Sequence, residues 1–334
     1  MRYLITGGAG FIGSHLVDSL LADGHDVLVV DNLSTGRLAN LEAALMHPRC
    51  LFTQGSVLDP YVVDDAVAQS DVVVHLAAAV GVEMIMANPL RSFHTNVRGG
   101  EILLEAVHRY GRKFFLASTS EIYGKNYNVP LHEDSDRVLG PPTITRWSYS
   151  TSKAVDEILT NLYREERGLE TVIARFFNIV GPRQSPSYGM VIPRLVRQAL
   201  SQEPLTVYGD GNQSRCFLHV VDAVAAIRGL LDSPSTAGET FNVGSDHEIS
   251  ILKLAEMVRE VTGTTSDIQL VSYEEAFGTG SGFEDMVRRV PDISKIAAVT
   301  GWTARTPLPT IIEDTVKAMR HQMEPCDDQP LRLP

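Results

Sequence analysis

Thr6-Gly7-Gly8-Ala9-Gly10-Phe11-Ile12-Gly13 follows directly on the apolar run Arg2-Tyr3-Leu4-Ile5. It leads into Ser14 to Ala22, where Leu16, Val17, Leu20 and Leu21 recur at helical spacing. Strand, glycine turn and helix together are the context a dinucleotide-binding fingerprint needs. Glycines allow a tight turn and let the backbone approach a pyrophosphate, whose charge is favoured at a helix N-terminus. The spacing is G-x-x-G-x-x-G rather than G-x-G-x-x-G, and a purely structural glycine turn is the competing reading. Gly7, Gly10, Phe11, Ile12 and Gly13 are the candidate pyrophosphate contacts.

Working outward, Asp26-Val27-Leu28-Val29-Val30 reads as a second strand ending at Asp31-Asn32. An acidic residue there is placed to hydrogen-bond the adenosine ribose hydroxyls and to repel a 2′-phosphate, which favours NAD over NADP. Arg37 is the nearest basic residue that could oppose this preference. Further strands are expected at Leu51 to Gly55, at the continuous apolar run Asp71 to Ala78, at Phe114 to Ala117 and at Thr171 to Phe176. Helices are expected between them at Pro60 to Ala68, Pro89 to Tyr110 and Trp147 to Arg167. This alternation predicts an α/β, Rossmann-type doubly wound parallel sheet with right-handed crossovers.

The second half changes character. Asn178 to Arg183 and Ser185 to Gly189 are turn-rich, and short strands are expected at Thr206 to Tyr208 and Thr240 to Val243. Helices are expected at Val191 to Leu200, Val220 to Leu231, Ile251 to Val261 and Pro309 to Gln322, with Ser250 as an N-cap. The plan is a dinucleotide-binding domain over 1–176, with 216–245 returning to it. A smaller C-terminal substrate-binding lobe covers most of 177–322, and 323–334 form a loose tail.

The chain has 334 residues, 44% apolar and 21% charged, ordinary proportions for a globular enzyme. No apolar run reaches the roughly 18 residues of a membrane span, and no secretory signal pattern opens the chain. The net charge of −12 argues against nucleic acid or an anionic membrane as partner. Cys50, Cys216 and Cys326 have no metal-type spacing and read as inert thiols of a reducing, cytoplasmic setting. No metal site is expected.

The chemistry gathers at Ser118-Thr119-Ser120-Glu121-Ile122-Tyr123-Gly124, where the strand Phe114 to Ala117 ends. In an open α/β sheet, ligands bind outside the carboxyl ends of the strands. Tyr149 and Lys153 stand four residues apart on an expected helix, and so on one face. A lysine ammonium and a nicotinamide cation both favour a phenolate, which would bring a tyrosine below its ordinary value near 10. Tyr149 can then accept the proton of a substrate hydroxyl while hydride leaves the same carbon. His75, alone in an apolar strand, reads as a core residue.

These residues carry a family resemblance. The glycine stretch, Asp31-Asn32-Leu33-Ser34, His75-Leu76-Ala77-Ala78, Tyr149-x-x-x-Lys153 and Arg175-Phe176-Phe177-Asn178-x-x-Gly181-Pro182 together resemble the extended short-chain dehydrogenase/reductases, over Met1 to about His321. Those enzymes use NAD to epimerise, dehydrate or decarboxylate nucleotide sugars. The resemblance implies that Asn32, Ser34, Thr35, Gly36, Ser56, Val57, Leu76, Ala77, Ala78, Val80, Asn96 and Ser118 also belong to the cofactor site. It implies that Glu83, Asn178, Val191, Tyr208 and Arg215 contact substrate, and that the protein is a homodimer.

The triplet Thr119-Ser120-Glu121 lacks the middle aspartate of the dTDP-glucose 4,6-dehydratases and is similar to that of UDP-glucuronate decarboxylases. GDP-mannose 4,6-dehydratases share it. Gly140-Pro141, Arg146 to Ser150, and the run Phe277 to Asp292 resemble the decarboxylases more closely, and Arg289 matches their active-site arginine. The resemblance therefore implies oxidation of a UDP-glucuronate at C4, loss of CO₂ from the resulting β-keto acid, and return of hydride or release of a UDP-4-keto-pentose. Tyr149, Lys153, Thr119, Ser120, Glu121 and Arg289 are the candidate catalytic residues. Arg183, Arg194, Arg215, Arg288 and Arg289 are candidates for holding phosphate and carboxylate, with Arg215 and Arg289 favoured. A 4-epimerase of UDP-hexose or UDP-hexuronate, a 4,6-dehydratase and a non-catalytic NAD-binding sensor stand as alternatives.

Overall fold

The structure is a computed structural model and describes residues 1–79, 88–186, 190–278 and 284–323. Its centre is a seven-stranded, fully parallel sheet in the order β11-β6-β5-β4-β1-β2-β3. The strands are β1 Arg2–Thr6, β2 Asp26–Asp31, β3 Cys50–Gln54, β4 Val72–His75, β5 Lys113–Thr119, β6 Thr171–Phe176 and β11 Glu239–Val243. The chain winds outward from β1 to β3, returns to lay β4 beside β1, and winds the other way. The reversal between β1 and β4 opens a crevice at the carboxyl ends, which is the Rossmann arrangement.

Alternation along each strand sends side chains to two cores. Tyr3 and Ile5 of β1 join Val27, Val29 and Phe115 beneath the helices Phe11–Ala22 and Val220–Asp232. Leu4 joins Leu28, Val73 and Phe114 against the helices Pro60–Ala68 and Pro89–Tyr110. With both faces covered, the strands can be almost wholly apolar. Asp59 caps its helix by accepting from the Tyr61 amide at 2.9 Å. Ser250 caps the helix Ile251–Thr262 through the Lys253 amide, as its position suggested.

Two expected boundaries shift. The first helix begins at Phe11, three residues early, because Gly10 in extended conformation already ends the turn. The run Asp71 to Ala78 yields a strand only over Val72–His75, since β1 bends away at Gly7 and offers no ladder partner beyond Thr6.

A smaller lobe packs on a separate core that includes Leu195, Val196, Leu254, Ile311 and Ile312. Its helices are Val191–Leu200, Ile251–Thr262 and Leu308–Met323. β8 Leu205–Tyr208 pairs in parallel with β13 Ile268–Val271. β7 Ile179–Val180 pairs with β10 Leu218–His219 where the lobe meets the large sheet. Three strands, β12 Glu248–Ser250, β9 Ser214–Cys216 and β14 Arg288–Arg289, lie side by side. Short β9, β12 and β14 carry no apolar alternation and were not expected from the sequence. Among the described residues no helix is long and apolar enough to cross a membrane. Cys50 and Cys216 are buried free thiols, and Cys326 lies outside the described residues.

Candidate active site

The carboxyl ends of β1, β2, β4, β5 and β6 face the small lobe across one cavity of ≈ 780 Å³. At one end lies the glycine turn. Gly7 has φ +75°, and a Cβ there would sit 2.7 Å from the Ala77 nitrogen. At Gly13 a Cβ would lie 2.3 Å from the Gly7 carbonyl oxygen. Side chains are thus excluded where the turn folds on itself, and Gly7, Gly10, Phe11, Ile12 and Gly13 all line the cavity. Asp31 is buried at the end of β2, where its carboxylate accepts from the amides of Ala9 at 3.0 Å and Leu33 at 2.8 Å. Burial raises this carboxyl above its usual range, and those two amides oppose the rise.

Asn32, Ser34, Thr35, Val57, Leu76, Ala77, Ala78 and Ser118 also line the cavity. Gly36, Ser56 and Asn96 are not among the residues that line it. Asn96 is buried and holds the β4 exit in place, its side-chain oxygen accepting from the Ala79 amide at 2.8 Å and its amide donating to Ser152. Ser118 donates to Glu157 at 2.5 Å. Val80 and Glu83 lie outside the described residues. A tight glycine turn, an acidic residue at the end of β2 and an elongated cavity between them fit a dinucleotide such as NAD.

β5 ends by turning into a single 3-10 turn, Ser120–Tyr123, capped by Thr119, whose hydroxyl accepts from the Glu121 amide at 3.2 Å. The turn aims Thr119, Ser120 and Glu121 into the cavity, opposite Tyr149 on the helix Ser148–Arg167. Glu121 is met by a residue the sequence reading left without a role. Arg146 grips its two oxygens at 2.7 and 3.1 Å and is itself buried. Burial alone would raise the Glu121 carboxyl. Arg146, then Arg289 and Arg215, outweigh it and hold the group below its usual range. Arg146 also rests on Trp147, 5.1 Å from the ring centre. The signals for it in the sequence are its place at the head of the stretch Arg146 to Ser150 that resembles the decarboxylases and the need of a buried carboxylate for a counter-cation.

Lys153, one helical turn on from Tyr149, is buried and donates to Asp156 at 2.9 Å. The Tyr149 phenol is not lowered, as the neighbouring ammonium led one to expect. Burial pushes it up, and Glu121 and Asp156 add to the rise. The ammonium is already engaged by a carboxylate, which cancels much of its field. His75 is the core residue expected: it bonds Thr6 at 2.8 Å, and burial together with Lys153 lowers it to about 3.

The lobe supplies the arginines. Parallel pairing of β14 with β9 sets Arg289 beside Arg215 and Arg288 beside Ser214. Neighbouring residues on a strand face opposite ways. Arg289 and Arg215 therefore line the cavity, whereas Arg288 and Ser214 meet Glu248 on the other side. Arg215 donates to Asp285 at 2.6 Å. Arg289 has weaker company: Ser120 at 3.3 Å and Glu121 at 3.9 Å. Its Nε has no hydrogen-bond partner among the described residues. Burial, with Arg215 beside it, lowers Arg289 to about 10. Arg194 stacks 3.8 Å above the Tyr208 ring, and both line the cavity with Asn178 and Val191. Arg183 lines it too but pairs with Asp18. Of the run resembling a substrate loop, Gly280 and Phe283 fall outside the described residues.

A cavity that joins a dinucleotide cradle to a tyrosine, a lysine and clustered arginines defines a nucleotide-cofactor enzyme with a second, anionic ligand. Comparison with known proteins agrees. Residues 3–244 match the model of the NAD dependent epimerase/dehydratase family, and the chain belongs to that family. It is 41% identical over 88% of its length to the UDP-N-acetyl-alpha-D-glucosaminuronate decarboxylase of Bacillus cytotoxicus, covering 90% of that protein. It is 35% identical over 97% of its length to UDP-glucuronic acid decarboxylase 1 of Xenopus tropicalis, covering 73% of it. Among solved structures, the UDP-glucuronic acid 4-epimerase of Bacillus cereus with UDP-glucuronic acid and NAD superposes with a TM-score of 0.87, at 27% identity over 96% of this chain and 100% of that one.

Proposed function

We propose that this protein is an NAD-dependent decarboxylase of a UDP-hexuronate, with UDP-glucuronate as the first substrate to test. The observation that carries this reading is Arg289: a side chain only 11% exposed at the cavity wall, weakly paired, in register with Arg215. A guanidinium matches a carboxylate bidentately, and an incompletely paired one gains most by doing so. Arg215, Arg194 and Tyr208 then serve the nucleoside diphosphate. Residues 1–176 with 216–245 form the dinucleotide-binding unit in this reading, and the remainder of 177–322 the substrate lobe.

NAD, when bound, supplies the hydride acceptor for oxidation of the sugar at C4. Tyr149 takes the proton of the C4 hydroxyl, and Thr119 donates a hydrogen bond to the same oxygen. Once C4 is a ketone, the C5 carboxylate is that of a β-keto acid and leaves as CO₂. The negative charge then moves to the C4 oxygen, where Tyr149 and Thr119 stabilise it as preorganised donors. Glu121, held ionised by Arg146, serves as a fixed counter-charge to Arg289 rather than as a proton donor.

The relative from Bacillus cytotoxicus favours a second substrate, the 2-acetamido analogue of the same sugar acid. Incubation with each sugar acid and with UDP-glucose, followed by mass spectrometry, separates the readings. Loss of about 44 mass units from an acid is decarboxylation, and an isomer of unchanged mass is epimerisation. The reading fails if both acids keep their carboxylates while UDP-glucose is epimerised. A homodimer through the helices Pro89–Tyr110 and Ser148–Arg167 belongs to the same reading, supported by exposed Leu90, Ile158 and Leu162 on those helices. A cytoplasmic setting is supported by the buried free thiols Cys50 and Cys216.

A further inference from the structure

We propose that Asp156 is a positioning residue: its carboxylate anchors the Lys153 ammonium, and through it governs how readily the Tyr149 phenol gives up its proton. The inference rests on the reading of Tyr149 as the base.

The geometry is unusual for a helix interior. Lys153 and Asp156 stand one turn apart on the helix Ser148–Arg167, and their side chains are 2% and 1% exposed. The bond to Asp156 is the hydrogen bond that Lys153 makes among the described residues. The second carboxylate oxygen of Asp156 has no partner among them. That oxygen is turned toward Gly100 on the helix Pro89–Tyr110, where a Cβ would stand 2.6 Å from it. A glycine is therefore what lets this carboxylate fit between the two helices.

A buried ion pair of this kind is weak evidence for stability, because desolvation of two charges offsets their attraction. A packed apolar side chain would fill the same space at no such cost. A half-satisfied carboxylate paired with a lysine one helical turn from the base points instead to control of charge. The other groups around the pair leave that role to Asp156. His75 on β4 is neutral in its buried site. Glu157, next on the helix, is taken by Arg175. Glu121 is taken by Arg146. The helix Pro89–Tyr110 presents Gly100 and Asn96, both uncharged. Burial, Glu121 and Asp156 together raise the phenol, so removing the Asp156 charge should make its proton easier to lose.

The test is an ultraviolet difference titration of tyrosinate in the NAD-loaded protein, with the matching Tyr149→Phe protein subtracted. In Asp156→Asn the Tyr149 midpoint should fall by roughly one pH unit, a tenfold change in phenolate at a given pH. The acid limb of NADH formation with a UDP sugar acid should move down with it. Gly100→Ala presses a methyl group onto the carboxylate and should shift the midpoint the same way. Ala is also the better helix former, so this variant decides the matter if Asp156→Asn does not fold. Midpoints that coincide with wild type, or that rise, overturn the proposal. If the midpoints fall but no sugar acid yields NADH, the proposed function fails while this role stands.

Discussion

Arg146→Met is the perturbation whose consequences the structure defines most fully. Wild-type Glu121 accepts two hydrogen bonds from Arg146, in a pair whose arginine and glutamate side chains are 4% and 12% exposed. Methionine fills much of the same volume and removes the charge. Breaking a buried pair by deleting one partner costs about 3–5 kcal/mol, because the other charge is left uncompensated. For a chain of 334 residues, an unfolding entropy of roughly 0.7 kcal/mol/K places the fall in Tm at about 4–7 °C.

The pH dependence carries more information than the size. In wild type the Glu121 carboxyl is held below its ordinary value of 4.5. It therefore contributes stability that is present above that value and lost as pH falls through the lower folded value. Burial is already the largest single influence on Glu121, and without Arg146 only Arg289, at 3.9 Å, and Arg215 are left to oppose it. The folded-state value then rises above the unfolded one. A carboxyl of that kind favours the folded state at low pH and loses the advantage as pH rises through the raised value. The gap in Tm between wild type and Arg146→Met should thus be widest near pH 8 and narrow toward pH 5. Thermal melts followed by circular dichroism at both ends of that range measure it. The double variant Glu121→Gln/Arg146→Met, with neither charge left, should recover most of the loss. A gap that does not change with pH, or a double variant no more stable than the single one, refutes the electrostatic reasoning.

Two further outcomes are expected. Tyr149→Phe should abolish turnover while leaving NAD bound in the purified protein, checked by releasing and quantifying the cofactor; full activity per bound NAD would remove Tyr149 from the mechanism. Arg289→Met should raise KM for the sugar acid far more than for UDP-glucose. Arg288→Ala, whose exposed pair with Glu248 is worth ~0–1 kcal/mol, should leave both nearly unchanged. Steady-state kinetics on the two substrates settle that contrast, and equal effects of the two variants would contradict the alternation on β14.

What could be read from the sequence was local. The glycine turn, the apolar strands and the helical periodicity depend on residues within a few positions of one another, and they sufficed for the parallel sheet and for the glycine turn at its carboxyl edge. Pro60–Ala68 and Pro89–Tyr110 even have the bounds their patterns predict. Tyr149 and Lys153 were legible for the same reason. Asp156 was within reach, one helical turn past Lys153, but an acidic residue at that spacing has the look of any solvated pair until its burial is known.

The charge balance of the site was not local. Glu121 meets Arg146 across 25 residues, Arg215 meets Asp285 across 70, and Arg289 meets Ser120 across 169. The choice between Arg288 and Arg289 depends on a two-residue strand with no sequence signature, paired to another of three residues. Hydrophobic pattern specifies which faces are buried, because that preference is a property of each side chain. Which cation neutralises which carboxylate is decided only when folding brings them together out of water. In this protein that decision separates the guanidinium that holds Glu121 from the one left facing the cavity.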